Sequence, residues 1–263
     1  MASLPSSNDP TRANKNAAHW LLAKIYLNKG VFTAANPAGP YTFDPADMAK
    51  VISNVDAITG RSMAADYWDN FLPQNSQSSP EIIFAVENIG GAGNGAVRSR
   101  WYMGQHYNQT PGGWNGFTTL AEYYDKFEPN DERILKWIPT TTEKNGYNLG
   151  FHIGQQYGPG GPGVGVALKD RPGSPLVFTK EYKLDYKRHF FRNSRYLRCR
   201  IQARSCRDFD NPNNDMVIAR YGEALLMKAE AQARTGNLAS AQTIVQSFKN
   251  ESTTTIGSVD ATA

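Results

Sequence analysis

Between Arg98 and Phe117 the chain reads RSRWYMGQHYNQTPGGWNGF, with five aromatic residues, four glycines, one proline and no acidic residue. The stretch has neither the period of a helix nor the alternation of a strand. Flat rings beside hydrogen-bonding side chains suit a polar, ring-shaped ligand. A sugar ring has an apolar C–H face and a rim of hydroxyls. An indole or phenol covers the face, and amide or guanidinium groups meet the hydroxyls. Trp101, Tyr102, Tyr107 and Trp114 supply rings here, and Arg98, Arg100, Gln105, Asn108 and Asn115 supply polar groups. The glycines allow the backbone to come close to a ligand. A loop this long also needs internal packing, so some of these rings anchor the loop itself. Tyr67, Trp68 and Tyr157 are further ring candidates.

Other constellations carry less. The histidines His19, His106, His152 and His189 are scattered and form no HExxH pair. His19 falls in a helical pattern, where it reads as a packed or rim residue. There is no Gly-x-Ser-x-Gly elbow. Cys199 and Cys206 match no zinc, redox or nucleophile signature, and the sequence leaves their pairing open. Glu223 and Glu230 share a helix face. A glycosidase needs paired carboxylates, but across a loop-lined cleft, so these two read as the polar face of a repeat helix. The glycine runs Gly90 to Gly95 and Gly158 to Gly165 lack the Lys-Ser/Thr ending of a phosphate loop and read as surface loops. Asp208 to Asp215, DFDNPNND, offers oxygen ligands for a hard cation but lacks EF-hand spacing and the terminal Glu. The residues point to no catalytic centre, no cofactor and no metal.

Composition is that of an ordinary globular protein, and its richness in Tyr, Trp, Asn and Gly suits a surface that contacts polar, ring-shaped ligands. Hydrophobic residues are 40% and charged residues 20% of 263, and the net charge is +4. Lys and Arg are mostly dispersed, which argues against nucleic acid. The local basic run KRHFFRNSRYLRCR, Lys187 to Arg200, reads as a solvated segment. No apolar run is long enough to span a membrane. The start, MASLPSSNDPTRANK, lacks the apolar core of a signal peptide. The tail, ESTTTIGSVDATA, follows a helical pattern without a closing element, and both ends read as cut or weakly ordered.

The elements that must position the loop are mostly helices. Asn16 to Asn28 predicts a helix ended by Gly30. Pro45 to Ile58 predicts a second, with Asp44 as N-cap, Pro45 at the first position and Gly60 closing it. Tyr67 to Gln77 reads as loop or turn, and Glu81 to Val86 as a strand. Leu120 to Phe127 reads as a short helix, and Ile138 to Ile201 as irregular chain. From Asp215, MVIARYGEALLMKAEAQARTG predicts a long helix through Ile218, Tyr221, Leu225 and Ala229, ended by Gly236. Glu230 and Arg234 are spaced to pair. A tight turn and a second helix, Gly236 to Phe248, follow. Small residues at Ala229, Ala233 and Ala241 would let the two helices approach, as in a tetratricopeptide-type pair.

Arg220 to Gln242, RYGEALLMKAEAQARTGNLASAQ, resembles the C-terminal signature helix pair of the SusD/RagB family of glycan-binding surface lipoproteins of Bacteroidetes. Three more segments agree in order: AAHWLLAKIYLN, SSPEIIFAVEN, and FTTLAEYYDKFEPNDERI with its Phe117, Tyr124, and Asp131 to Arg133. The resemblance implies a mainly α fold of tetratricopeptide-like helix pairs, a SusD-like α/α superhelix. It would be one partial domain over 1–263. Repeat-like helices would occupy 16–60, a large loop-rich insertion with short strands 61–214, and a C-terminal helix pair 215–250. It further implies a non-catalytic protein that binds oligosaccharide or polysaccharide on the outer-membrane surface. Such a protein would pass its ligand to a TonB-dependent, SusC-like transporter for nutrient uptake. Family contacts come largely from loops outside the helices, which favours the aromatic stretch. Complete members begin with a lipidated cysteine and an N-terminal helical region and have a further C-terminal segment. This sequence is therefore expected to be a fragment, with any lipid anchor lying outside it. The alternative is a peptide-binding or protein-interaction scaffold of the same transport complex, in which Arg98 and Arg100 would matter more than the rings.

Overall fold

The computed structural model describes residues 3–72, 75–89, 108, 114, 119–128, 131, 133, 135–137, 148–158, 161–180 and 214–251. The chain divides into two compact units. One comprises Met1–Asn70, Asn75–Glu87 and Met216–Ala263, and the other Phe71–Gln74 and Asn88–Asp215. Among the described residues no helix is long and apolar enough to cross a membrane.

The first unit is built on helices. Helix α1, Lys15–Phe32, starts where the Asn14 side chain accepts a hydrogen bond from the Ala17 amide at 2.9 Å. It buries Asn16, Trp20, Ala23 and Leu27 along one stripe. The sequence places its end at Gly30, yet the helix runs two residues further. Gly30 serves close packing instead. A Cβ there would lie 2.1 Å from the Thr42 carbonyl oxygen, so only glycine lets the chain at Thr42 cross the helix. Helix α2, Pro45–Asp56, is capped as expected: Asp44 accepts from the Ala46 amide at 2.8 Å, and Gly60 follows with φ +65. Met48, Val51 and Val55 of α2 are fully buried and meet Trp20, Ala23 and Leu27 in the core. Burying Leu27, Met48, Val51 or Val55 contributes roughly 1.5–3 kcal/mol each.

Charged groups fasten the two helices at their edge. The Lys29 ammonium donates to Asp47 at 2.7 Å and Lys50 reaches it at 3.4 Å. The hydrogen bond from Lys29 holds the Asp47 carboxyl below its ordinary range, and the same bond raises the Lys29 ammonium.

After a short 3-10 turn, Tyr67–Phe71, and a one-turn helix α3, Asn75–Ser78, comes strand β1, Ile82–Val86. The helix predicted from Asp215 begins later than the sequence indicates. Met216–Arg220 is a strand, here β6, and pairs antiparallel with β1, with Ala85 opposite Val217 and Val86 opposite Met216. Val217 and Ile218 are β-branched and have a waiting partner edge, so tertiary pairing overrides the helical spacing of Ile218 with Tyr221. Helix α5 then covers Tyr221–Arg234, and Gly236, at φ +84, turns the chain into helix α6, Leu238–Glu251. Ala229, Ala231 and Ala241 are buried, whereas Ala233 is exposed and plays no part in the close approach. Glu230 pairs with Arg234, whose guanidinium stacks over Phe43 at 3.3 Å.

A buried acid links these parts. Glu81 is 1% exposed; its carboxylate accepts from Asn70 Nδ2 at 2.7 Å and from Arg220 at 3.1 Å. Gly222 leaves room for it, since a Cβ there would sit 2.8 Å from Oε1. The segment just before α1 is tied down as well. Pro10 is buried and its carbonyl accepts from the Ala85 amide at 2.9 Å, while Asn8 accepts from Asn16 at 3.2 Å and from Arg61.

Among its described residues the second unit holds a one-turn helix, α4 at Ala121–Tyr124, and four short strands. These are β2 at Leu135–Trp137, β3 at Asn148–Gly150, β4 at Gly154–Gln155 and β5 at Val177–Phe178. Strand β2 pairs with β3 and β4 with β5, both antiparallel. The stretch expected to be irregular therefore carries short strands at 148–150, 154–155 and 177–178, joined by turns and irregular chain.

Candidate functional site

The aromatic stretch lies in the second unit, and two of its candidate residues are described. Trp114 is 59% exposed, so most of its surface faces solvent. Asn108 donates from Nδ2 to the Lys169 carbonyl oxygen at 2.6 Å. That bond ties the stretch to the chain around Lys169, and it commits an amide expected to meet ligand. Arg98, Arg100, Trp101, Tyr102, Gln105, Tyr107 and Asn115 lie outside the described residues, as do Cys199, Cys206 and the basic run from Lys187 to Arg200.

The anchor for Asn108 is well braced. Leu168 donates its amide to Gln156 O at 2.8 Å, Gln156 to Leu176 O at 2.9 Å, and Leu176 to Leu168 O at 2.8 Å. Three chain segments thus bond each to both others, and none is left with a bare edge at that level. Gln155 Nε2 reinforces this with bonds to the carbonyls of Gln156 and Leu168 at 2.8 Å. Asp170 and Gly173, the latter at φ +91, make the tight return, with Asp170 Oδ1 accepting from the Ser174 amide at 2.8 Å. The glycine-rich turn at the other end is also held by its backbone, with Gly158 donating to Val166 O at 2.9 Å.

Beside the stretch in sequence stands a ring cluster that the spacing does not single out. Tyr123, Tyr124 and Phe127 surround the buried Phe151, with centroid separations of 6.0, 5.9 and 5.5 Å. Tyr123 and Phe127 meet edge to face at 5.4 Å. Lys180 sits over Tyr124 at 4.8 Å and pairs with Asp125. Arg133 lies over Phe127 at 5.2 Å and grips the buried Asp131 through both carboxylate oxygens. The Asp-x-Arg element of the sequence is therefore a clamp on the back of this cluster. Only the residue types at Tyr123 and Tyr124 hint at it in the sequence, because Phe151 and Lys180 arrive from distant positions.

The further ring candidates separate by burial. Trp68 is 2% exposed and part of the interior, so it offers no face to a ligand. Tyr67 packs edge-on to it at 5.2 Å and carries the Arg220 guanidinium at 5.2 Å. Tyr157 is half-buried in a bridge to Ala167.

The acids considered for chemistry are occupied elsewhere. Glu223 accepts from the Trp20 indole at 2.9 Å and from Lys24 at 2.8 Å, and Glu230 from Arg234. His19 Nδ1 lies 2.9 Å from Asn54 Oδ1. Of the Asx-rich run, Asn214 donates to the Phe71 carbonyl at 2.7 Å and Asp215 accepts from the Asn88 amide at 2.7 Å. Among the described residues no group of three His, Cys, Asp or Glu side chains is placed to hold a metal.

No family model and no curated protein matches this sequence. Solved structures do match its fold. A SusD superfamily protein from Parabacteroides distasonis is 16% identical at a TM-score of 0.58, over 98% of this chain and 48% of that one. A SusD-like carbohydrate binding protein from Bacteroides vulgatus is 15% identical at 0.58, over 98% and 42%. Surface glycan-binding protein A from Bacteroides thetaiotaomicron, solved with laminarihexaose, is 14% identical at 0.55, over 98% and 51%. The chain thus has a SusD-like fold and spans about half the length of the structures it matches.

Proposed function

We propose that this chain is part of a SusD/RagB-family protein that binds oligosaccharide or polysaccharide without cleaving it. The reading carries with it an outer-membrane, cell-surface location and delivery of the ligand to a TonB-dependent, SusC-like transporter. What supports it most is the SusD-like fold, which extends over nearly the whole chain and is shared with proteins described as carbohydrate-binding. Trp114 fits the same reading. A largely exposed indole costs apolar hydration unless something covers it, and the C–H face of a pyranose is a suitable cover. Binding would rest on stacking plus hydrogen bonds to hydroxyls, from Trp114 and the neighbouring rings and amides of the Arg98–Phe117 stretch.

Calorimetric titration of the protein with laminarihexaose, maltohexaose and cellohexaose tests this. At least one hexaose should bind, and Trp114→Ala should weaken it about tenfold with an unchanged melting temperature. If no glycan binds while a peptide does, the reading is wrong. New reducing ends after long incubation would overturn the non-catalytic part. The transport part fails if the protein, recovered from native outer membranes, brings no TonB-dependent barrel with it.

A further inference from the structure

We propose that Tyr123 is a second stacking platform for a neutral pyranose, distinct from the Arg98–Phe117 stretch. This rests on the carbohydrate-binding reading above and extends it to a residue that neither spacing nor composition selects.

Three observations carry it. First, Tyr123 keeps 49% of its surface exposed, although the rings of Phe127 and Phe151 pack against it. Second, the ring is braced. Phe127 and Phe151 meet it at 82° and 79°, and Phe151 is buried. Phe127 is itself covered by Arg133, which Asp131 holds. The backbone is fixed as well, since Tyr123 and Tyr124 both donate to the Leu120 carbonyl at 3.1 Å and Asp125 donates to that of Ala121 at 2.8 Å. A ring already immobilised loses little freedom when a ligand settles on it. Third, the surroundings combine the two surfaces a sugar needs. Leu120 is exposed and adds apolar area, while Glu122 and Lys126, both exposed, offer an acceptor and three donors for hydroxyls. A neutral sugar suits this mix better than an ion, because the flanking charges are of both signs.

Titration of the intact protein with the three hexaoses tests it. Wild type, Tyr123→Ala, Tyr123→Phe and Trp114→Ala are compared, with a melting curve for each. The proposal expects Tyr123→Ala to weaken the best ligand roughly three- to tenfold and Tyr123→Phe to leave it nearly unchanged. Unchanged affinity in Tyr123→Ala, with Trp114→Ala impaired, overturns the platform and leaves the carbohydrate reading standing. No binding by wild type overturns both. If Tyr123→Ala fails to fold, Tyr123→Leu decides, because it fills the space without a flat ring. Weaker binding with a normal melt then supports the proposal, and wild-type binding sinks it.

Discussion

The helical unit and the loop-rich unit satisfy their backbones in different ways. In α1, α2 and α5 the amides past the first turn find their acceptors one turn back, and the side chains are free to build a core of Trp20, Met48, Val51 and Ala224. Around Gln156, Leu168 and Leu176 the acceptors lie on other segments, so the chain is held by a ring of non-local bonds. Both units have exposed and buried rings, Phe32 and Tyr41 being exposed in the helical unit and Phe151 and Phe178 buried in the other, but the rings of interest for binding differ. Trp20 and Trp68 are spent on the interior of the helical unit, while Trp114 and Tyr123 of the other unit stay open to solvent.

This contrast predicts that substitutions in the helical unit cost stability, whereas Trp114→Ala and Tyr123→Ala cost affinity. The largest effect should come at Glu81. Glu81→Ala removes the buried carboxylate that Arg220 and Asn70 share and should destabilise the protein by about 3 kcal/mol in urea unfolding. A loss below the error of the measurement would mean that this network is not what joins β1 to the end of β6. Next is Gly30→Ala. Helix propensity alone favours alanine by about 1 kcal/mol. The clash with the Thr42 backbone should reverse the sign and give a net loss of roughly 1–3 kcal/mol. A raised melting temperature would show that Gly30 is merely a weak helix residue.

The smallest effect is electrostatic. Asp47 has a lowered carboxyl pKa because Lys29 bonds its charged form. Its contribution is therefore present above the unfolded carboxylate range and lost as pH falls through the lowered folded value. The Lys29 side of the same pair is raised, so that contribution is complete below the usual ammonium range and lost only on strong alkalisation. Asp47→Asn should thus lower stability at neutral pH and make little difference in strong acid. Melting curves for both proteins at pH 7 and pH 2 would reveal parallel pH profiles if the ion pair contributes nothing.

The ease with which each region can be read from sequence follows the same physics. Asp44, Pro45 and Gly236 announce helix ends through local hydrogen bonds and dihedral preferences, and the structure uses them as the sequence suggests. Gly30 misleads because its reason is a neighbour twelve residues away rather than a helix end. Met216–Arg220 misleads because a strand partner far back in the chain outweighs a helical spacing. At the candidate site, Trp114 is legible as a ring in glycine-rich, polar surroundings. Tyr123 is not, because its value depends on Phe151 being brought beside it.

The sequence alone determined that the long helices exist, the Asp44 cap and the likeness to a SusD-like frame, since these rest on periodicity, local hydrogen bonding and ordered motifs. Tertiary structure alone decided that Trp68 is buried while Trp114 and Tyr123 are exposed, that Glu223 and Glu230 are tied up in ion pairs, and that Met216–Arg220 is a strand. Burial and pairing are properties of what the rest of the chain brings alongside a residue, and no local pattern encodes them.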